Sequence, residues 1–393
     1  MIARSAARNG RARPCQSRAR GPGTCAATRE PVTSSSFTFI ARTALACALL
    51  GCASVDVAAD GGEDAATVDA RLDGSVVDPA WPQDDASILD ASMLDAGQLD
   101  GSDGFDASPP ADTEAPDPGP TATEATYRVL HWNIAGGKEN GCATALITRA
   151  VRRFVRDHAI DFVGLNEVCP AQHAAIREAL RAEWGLGPRR ELSAYVGDDT
   201  GRVVGNSIHS RFGLEGVTRD RVGEDRYGDR NLLCGRVPSA PHLRFCSTHL
   251  TPADATAARQ LDRVRARIEG WWTSRRDTVI LSGDLNITPN HPALNALYTS
   301  AANTPNNPGN RGRYHEVDDD DPRRCPGYGE RTVPRATGGP CRQGAKIDFI
   351  FVRENRIVDG RYSGDTLDIP SDCTGVCSDH RPVIGRARLR VRH

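Results

Sequence analysis

Between Tyr127 and Val391 the sequence repeats one arrangement five times: a short apolar run stops, and polar residues of catalytic type follow at once. The strings are Trp132-Asn133, Asn166-Glu167, Thr248-His249-Leu250, Ser282-Gly283-Asp284-Leu285-Asn286 and Ser378-Asp379-His380. A short apolar run bounded this way reads as a buried strand, and side chains at strand ends converge on one rim of a sheet sandwich. Residues far apart in the chain are therefore expected to share a site. Each string alone is weak, because a lone Asn or Glu after a strand is ordinarily a turn former or a cap.

The runs between these strings set the fold class. Tyr127–Trp132 alternates apolar and polar residues as a strand does. A helix follows over residues 143–158, with apolar positions at Leu146, Ile147, Ala150, Val151, Phe154 and Val155. Ile160–Leu165 reads as a buried strand, and a second helix starts near Pro170. Further strands are expected near 203–209, 231–237 and 243–249, and a third helix over about 254–272. Then come strand 278–282, a short helix near 292–298, and strands 347–352 and 382–391. The Pro/Gly/Arg/Asp stretch 303–344 reads as a loop, either a substrate lid or an ornament stapled by its cysteines. Its run Asp318-Asp319-Asp320-Asp321 is expected to be solvated, and Trp271-Trp272 to pack in a core at a helix end. Strands outnumber helices, yet helices recur between them. The expected class is α/β, two packed mixed β-sheets flanked by outer helices in a four-layer α/β/β/α sandwich.

Composition divides the 393 residues into three. Residues 1–52 hold 8 Arg and 1 Glu, residues 53–126 hold 1 Arg against 18 acids, and residues 127–393 hold 40 Lys+Arg against 32 Asp+Glu. Arginines before the short apolar run Ala44–Leu50 read as an export leader, and that run is too short to span a bilayer. Leu49-Leu50-Gly51-Cys52 resembles a bacterial lipobox, in which Cys52 is acylated and holds the protein at a membrane; the rival is an ordinary cleaved signal peptide. Residues 53–123 repeat Asp-Ala and Asp-Gly before turning Pro-rich, with too little apolar surface to offset chain entropy, so they read as a disordered acidic linker. Residues 124–393 are then the catalytic domain, at a charge of about +8. With only Lys138 and Lys346 as lysines, coding bias accounts for an arginine excess as readily as an anionic partner does.

After Cys52 eight cysteines remain, an even number behind an export leader, which reads as disulfides. Cys234 and Cys246 flank Pro238–Pro241 as hairpin partners would. Closeness in the chain pairs Cys325 with Cys341 and Cys373 with Cys377, leaving Cys142 and Cys169 to tie two site loops. The rival is zinc at Cys373-x3-Cys377-x2-His380.

Taken together in their order, the strings resemble the endonuclease/exonuclease/phosphatase superfamily, whose members include deoxyribonuclease I, abasic-site endonucleases, inositol polyphosphate 5-phosphatases and neutral sphingomyelinases. Gly283-Asp284-Leu285-Asn286 and Ser378-Asp379-His380 are the most specific matches. Gly205-Asn206-Ser207, Ser210-Arg211-Phe212, Arg230 and Lys346-Ile347-Asp348-Phe349-Ile350 add to them. The resemblance implies a deoxyribonuclease I-like sandwich in which Asp284 and Asn286 position nucleophile and phosphate and His249 donates to a phosphoryl oxygen. Arg230 and Asn206 are weaker candidates for phosphate contact.

The residue chemistry leads to the same roles. Phosphoester hydrolysis needs a hard cation, an activated water and donors for developing charge. Glu167 is the best carboxylate for Mg²⁺, with Asn133 as neutral neighbour and Asp379 as a further ligand; Mn²⁺ or Ca²⁺ are substitutes. His380 is the candidate general base, its tautomer fixed by Asp348. The expected function is a Mg²⁺-dependent phosphodiester hydrolase, an exported, surface-anchored monomeric nuclease acting on nucleic acid, with the membrane met through the lipid anchor alone and no obligate protein partner. The alternatives are a sphingomyelinase- or inositol-phosphatase-like phosphoesterase, or an inactive binding domain on the same fold.

Overall fold

The computed structural model of the protein describes residues 122–393, apart from 198–203, 253, 320–324, 335 and 372–376. The proposed lipidation residue Cys52, the acidic segment up to residue 121, and Cys373 lie outside the described residues. One sheet is built from β1 (Ala122–Asn133), β2 (Phe162–Val168), β3 (Ser193–Gly197), β4 (Gly205–Ser210), β11 (Ile357–Thr366) and β12 (Val383–Arg392), in the order β11-β12-β1-β2-β4-β3. The other is built from β5 (Glu215–Asp225), β6 (Gly228–Val237), β7 (Ala240–His249), β8 (Thr278–Asp284), β9 (Tyr314–Glu316) and β10 (Asp348–Arg353), in the order β5-β6-β7-β8-β10-β9.

Both faces of each sheet are buried, which is why the central strands read as near-continuous apolar runs. Adjacent side chains on a strand point to opposite faces. Val129, Phe162, Ile280 and Ile350 accordingly fill the core between the sheets. Their neighbours Leu130 and Val163 meet Ile147, Val151 and Phe154 of helix α1 (Thr144–Asp157) and Ile176 and Leu180 of helix α2 (Pro170–Glu183). Leu281 and Phe351 meet Leu261, Val264 and Ile268 of helix α3 (Asp254–Arg275). The architecture is the four-layer α/β/β/α sandwich that the alternation of elements implies. Among the described residues, no helix is long and apolar enough to cross a membrane.

The structure corrects several expectations. β1 begins at Ala122, inside the segment assigned to the linker, because Ala122 and Thr123 pair with Arg392 and Val391 of β12. β3, β5, β9 and β11 carry no strong apolar signal; β5 is mostly exposed and is held by its register against β6. The short helix expected near 292–298 is present as a 3-10 helix over Pro292–Ala296. The stretch 303–344 contains β9, paired with β10, so part of it belongs to the second sheet. Asp318 and Asp319 are not solvated but buried. The loop folds them over β10, where the fully buried Lys346 places its Nζ 2.9 Å from Asp318 Oδ2 and 3.4 Å from Glu316 Oε2. Burial pushes the Glu316 carboxyl up to about 7 even though Lys346 pulls it down.

Disulfides join Cys142 to Cys169, Cys234 to Cys246 and Cys325 to Cys341. Cys234 and Cys246 stand directly opposite each other in the β6–β7 ladder. Cys377 is also disulfide-bonded, so its sulfur is not free to bind zinc.

Candidate active site

The site is the polar end of the inter-sheet core. On β1, Tyr127 and Val129 point between the sheets, and the same parity carries on to His131 and Asn133. On β8 the inward row is Ile280, Ser282, Asp284, and on β10 it is Val352, Ile350, Asp348. Phe162 on β2 leads to Asn166, Phe245 on β7 to His249, and Ile208 on β4 to Asn206. Parallel pairing of β1 with β2 sets Asn133 beside Asn166, and parallel pairing of β7 with β8 sets His249 beside Asp284. Antiparallel pairing of β10 with β8 then puts Asp348 opposite Asp284. Two-residue periodicity thus converts strand-end strings scattered along the chain into one cleft.

Two glycines permit the close approaches. A Cβ on Gly283 would lie 2.3 Å from the Thr248 carbonyl oxygen, where β7 and β8 run together. A Cβ on Gly136 would lie 2.5 Å from the Glu167 carbonyl oxygen, which accepts the Gly136 N–H at 2.9 Å. Glu167 itself breaks the parity rule. The β2–β4 register shifts between Leu165 and Val168, and Glu167 sits at φ 54°, a left-handed conformation rare for a side-chain-bearing residue. That bulge turns its carboxylate into the cleft, and the Cys142–Cys169 disulfide ties the adjoining loops together.

The Asn133 amide donates to Glu167 Oε1 at 2.9 Å and to Asp284 Oδ2 at 3.0 Å, so one carboxamide fixes both carboxylates. Asn166 Oδ1 accepts the Asp284 N–H at 2.9 Å, and its Nδ2 donates to Asn206 Oδ1 at 2.7 Å. Asn206 donates onward to the Asn231 carbonyl; in this structure it braces Asn166. Asn286, at φ 53°, donates its backbone N–H to Asp284 Oδ1 and its side-chain amide to the Leu250 carbonyl.

On the other side of Asp284, His380 Nδ1 lies 2.8 Å from Asp348 Oδ2, and His380 Nε2 lies 3.8 Å from Asp284 Oδ2. The loop that carries His380 is pinned at three points. Ser378 Oγ donates to the Asn133 carbonyl and accepts the His380 N–H, while Trp132 Nε1 donates to the His380 carbonyl. Asp379 Oδ2 pairs with the Lys138 ammonium at 2.8 Å, and Asp379 Oδ1 stands 4.0 Å from His380 Nε2. His249 Nε2 is 3.5 Å from Asp284 Oδ2. Arg230 lies near the rim, with both Nε and Nη2 at 2.9 Å from Asp225 Oδ2.

The electrostatics follow from crowding charge among buried side chains. Burial, reinforced by Asp348, pushes Asp284 up to about 7. Burial alone would raise Asp348 too, but His380 and His131 hold it well below the carboxylate range. At His380 burial opposes the imidazolium, yet Asp348 and Asp284 outweigh it and raise the ring to about 10. Burial and then Arg230 push His249 well below its ordinary value, so that ring is neutral at physiological pH.

Asp284, Asp348 and His380 offer ligand atoms within 4.8 Å of one another, a cluster suited to a divalent cation. Asp348 commits both oxygens to histidine rings. Asp284, which accepts one amide N–H at each oxygen, and Glu167, which accepts the Asn133 amide at Oε1, are not hydrogen-bonded to an imidazole and keep lone pairs for a cation. The donor set fits a hard cation: it is carboxylate-rich, and the seven described cysteines are all held in disulfides.

The cleft brings together Asn133, Glu167, Asp284, Asn286, His249, Asp348, Asp379 and His380. Two participants carry no signal in the strand-end strings, His131 and Lys138, and two more, Asn166 and Ser378, stand in those strings without an assigned role. His131 follows Tyr127 and Val129 on the inward face of β1 and is fully buried. A titratable ring inside a run bounded by Val129, Leu130 and Trp132 was the available signal.

Residues 130–380 match the Endonuclease/Exonuclease/phosphatase family model. No curated protein matches the chain. Solved structures it is similar to include a truncated TDP2 from Caenorhabditis elegans, at 15% identity and TM-score 0.48 over 67% of this chain and 98% of that one. A second is TDP2 from D. rerio complexed with single strand DNA product, at 17% identity and TM-score 0.48 over 67% of this chain and 99% of that one. A third is a mannosyl-6-phosphatase from Bacteroides thetaiotaomicron, at 17% identity and TM-score 0.45 over 66% of this chain and 98% of that one.

Proposed function

Because the chain belongs to the endonuclease/exonuclease/phosphatase family, we propose that it is a Mg²⁺-dependent nuclease, exported and anchored at a membrane surface through acylated Cys52. It is a metal-dependent phosphoric ester hydrolase with a phosphodiester substrate, and the convergence of Asp284, Asp348 and His380 within 4.8 Å is the observation that carries this.

Glu167 and Asp284 would hold the cation, with Asn133 keeping the two carboxylates in place. When bound, the cation neutralises phosphoryl oxygens and offsets the carboxylate charge that otherwise keeps His380 protonated. His380 accepts a proton at Nε2 from the attacking water, while Asp348 holds Nδ1–H and stabilises the imidazolium. Neutral His249 donates a hydrogen bond to a phosphoryl oxygen, and Asn286 and Asp284 orient the nucleophile. Lys138 and Arg230 place positive charge at the rim. The basic balance of residues 127–393 supports a polyanionic substrate.

The test is a panel assay of the folded protein with plasmid DNA, RNA, sphingomyelin and phosphoinositides, each with Mg²⁺ and with EDTA. Nicking of plasmid that EDTA abolishes, and that weakens steeply from low to moderate salt, is the expected result. Release of phosphocholine with intact plasmid would move the substrate to phospholipid, and turnover unaffected by EDTA would overturn metal dependence. Anchoring is checked separately by fractionation: wild-type chain is expected in the membrane fraction and the Cys52→Ser variant in the soluble one. Co-fractionation of both would remove the anchor.

A further inference from the structure

Asp348 has a second histidine. His131 Nε2 lies 2.9 Å from Asp348 Oδ1, on the oxygen opposite the one that meets His380 Nδ1 at 2.8 Å. His131 and Asp348 are both completely buried. We propose that His131 is a positioning residue for the hydrolysis, locking the Asp348 carboxylate so that its other oxygen stays on the His380 ring. This rests on His380 and Asp348 acting in the reaction as described above.

Asp348 sits at the first residue of β10, where two torsions set where its oxygens point. Thr332 Oγ1 accepts the Asp348 backbone N–H, which fixes the main chain but not the side chain. A single partner at Oδ2 would leave the carboxylate free to rotate toward any cation held by Asp284, whose register partner it is. The second bond at Oδ1 removes that freedom. The carboxylate plane is then set by two rings, one from β1 and one from the loop before β12.

The tautomer follows as well. To donate to Asp348, His131 must carry its proton on Nε2. Its Nδ1 is buried and has no hydrogen-bond partner. Leaving a buried polar atom unpaired is destabilising. A chain selected only for stability at this place would do better with an apolar residue on β1 and a partner for Asp348 that leaves nothing orphaned. His131 therefore makes sense as a stiff, planar donor whose single useful contact aims the carboxylate. Preorganisation of this kind acts on the chemical step, since misplacement of a catalytic group by about 1 Å can lower a rate by about 10²-fold.

The experiment compares His131→Gln, whose amide nitrogen can reach the place of Nε2, with His131→Asn, which is too short, and His131→Leu, which has no donor. Steady-state hydrolysis of plasmid or a generic phosphodiester is measured at saturating Mg²⁺, with wild type and His380→Ala alongside and melting temperatures taken for all. The Asn and Leu variants are expected to lose roughly 30- to 100-fold in kcat with KM within about threefold of wild type, and the Gln variant to recover most of that loss. If Asn and Leu variants that melt like wild type keep kcat within threefold, or if Gln is as impaired as Asn, His131 is not a positioning residue. Should the Leu variant fail to fold, the Gln and Asn pair decides alone. An active His380→Ala would sink the underlying mechanism instead, so the two failures are distinguishable.

Discussion

Replacing His380 with Ala is expected to lower kcat by roughly 10³- to 10⁴-fold, the upper range for a positioned acid–base group, while leaving a folded, metal-binding domain. The ring turns its Nε2 to Asp284, at 3.8 Å, with its other nitrogen already held by a carboxylate. Its loss leaves Asp348 on His131 alone, so the buried carboxylate keeps a partner. The stability penalty should then stay near that of one charged hydrogen bond, about 1.5–3 kcal/mol. The pH profile gives the sign. Base catalysis needs the neutral ring, and Asp348 and Asp284 raise its pKa against burial to about 10. Activity should therefore rise with pH along an acid limb set by His380, and added cation should move that limb to lower pH by cancelling the charge on Asp284. In the Ala variant that limb should vanish. A variant retaining more than a tenth of wild-type kcat, or the same acid limb, excludes His380 as the base.

What could be read from the sequence follows from which forces act locally. The strings Asn166-Glu167, Ser282–Asn286 and Ser378–His380 were readable because a strand that feeds a site changes from apolar to polar at its end, and that change is local in sequence. The layering followed for the same reason, from apolar runs too continuous for a half-exposed sheet. β5 was not readable, because its Thr218-Arg219-Asp220-Arg221 has no apolar pattern and exists as strand only through its partner β6. His131 was missed because period two shows that a residue is on one face without showing that both faces are covered. Glu167 was legible in type but not in conformation, since nothing in Leu165–Val168 announces a bulge. Most instructive is the acidic run at Asp318. Local reasoning solvates adjacent carboxylates, whereas the fold supplies a cation from Lys346, 28 residues away.

That buried cluster carries the second large effect, on stability rather than rate. Lys346→Met is expected to cost about 3–5 kcal/mol, the usual penalty for removing one partner of a buried ion pair, read from urea unfolding at pH 8. Glu316 and Asp318 would stay behind at 0% and 1% side-chain exposure. Among the described residues, Asp318 would then keep neutral help from Thr366 Oγ1 at 3.0 Å, and Glu316 the N–H groups of Asp318 and Ile350. The deficit should depend on pH. Burial already raises folded Glu316 to about 7 against Lys346's opposing pull. Its folded state thus binds a proton more tightly than the unfolded chain, and that contribution is present below the unfolded value of 4.5 and lost as pH rises through 7. Without Lys346 the folded value climbs further and the loss extends to higher pH. The variant should therefore approach wild type near pH 4.5 and fall furthest behind at pH 8. Lys346 lies two residues before Asp348, and Thr332 Oγ1 accepts from both Ile347 and Asp348 backbone N–H groups. Residual activity should track the folded fraction, because the lysine touches no site residue and acts only by holding the loop and β10 together. A deficit below about 1 kcal/mol, or one constant from pH 4.5 to 8, would mean that the cluster is relaxed or wet and that something other than paired charge holds this loop down.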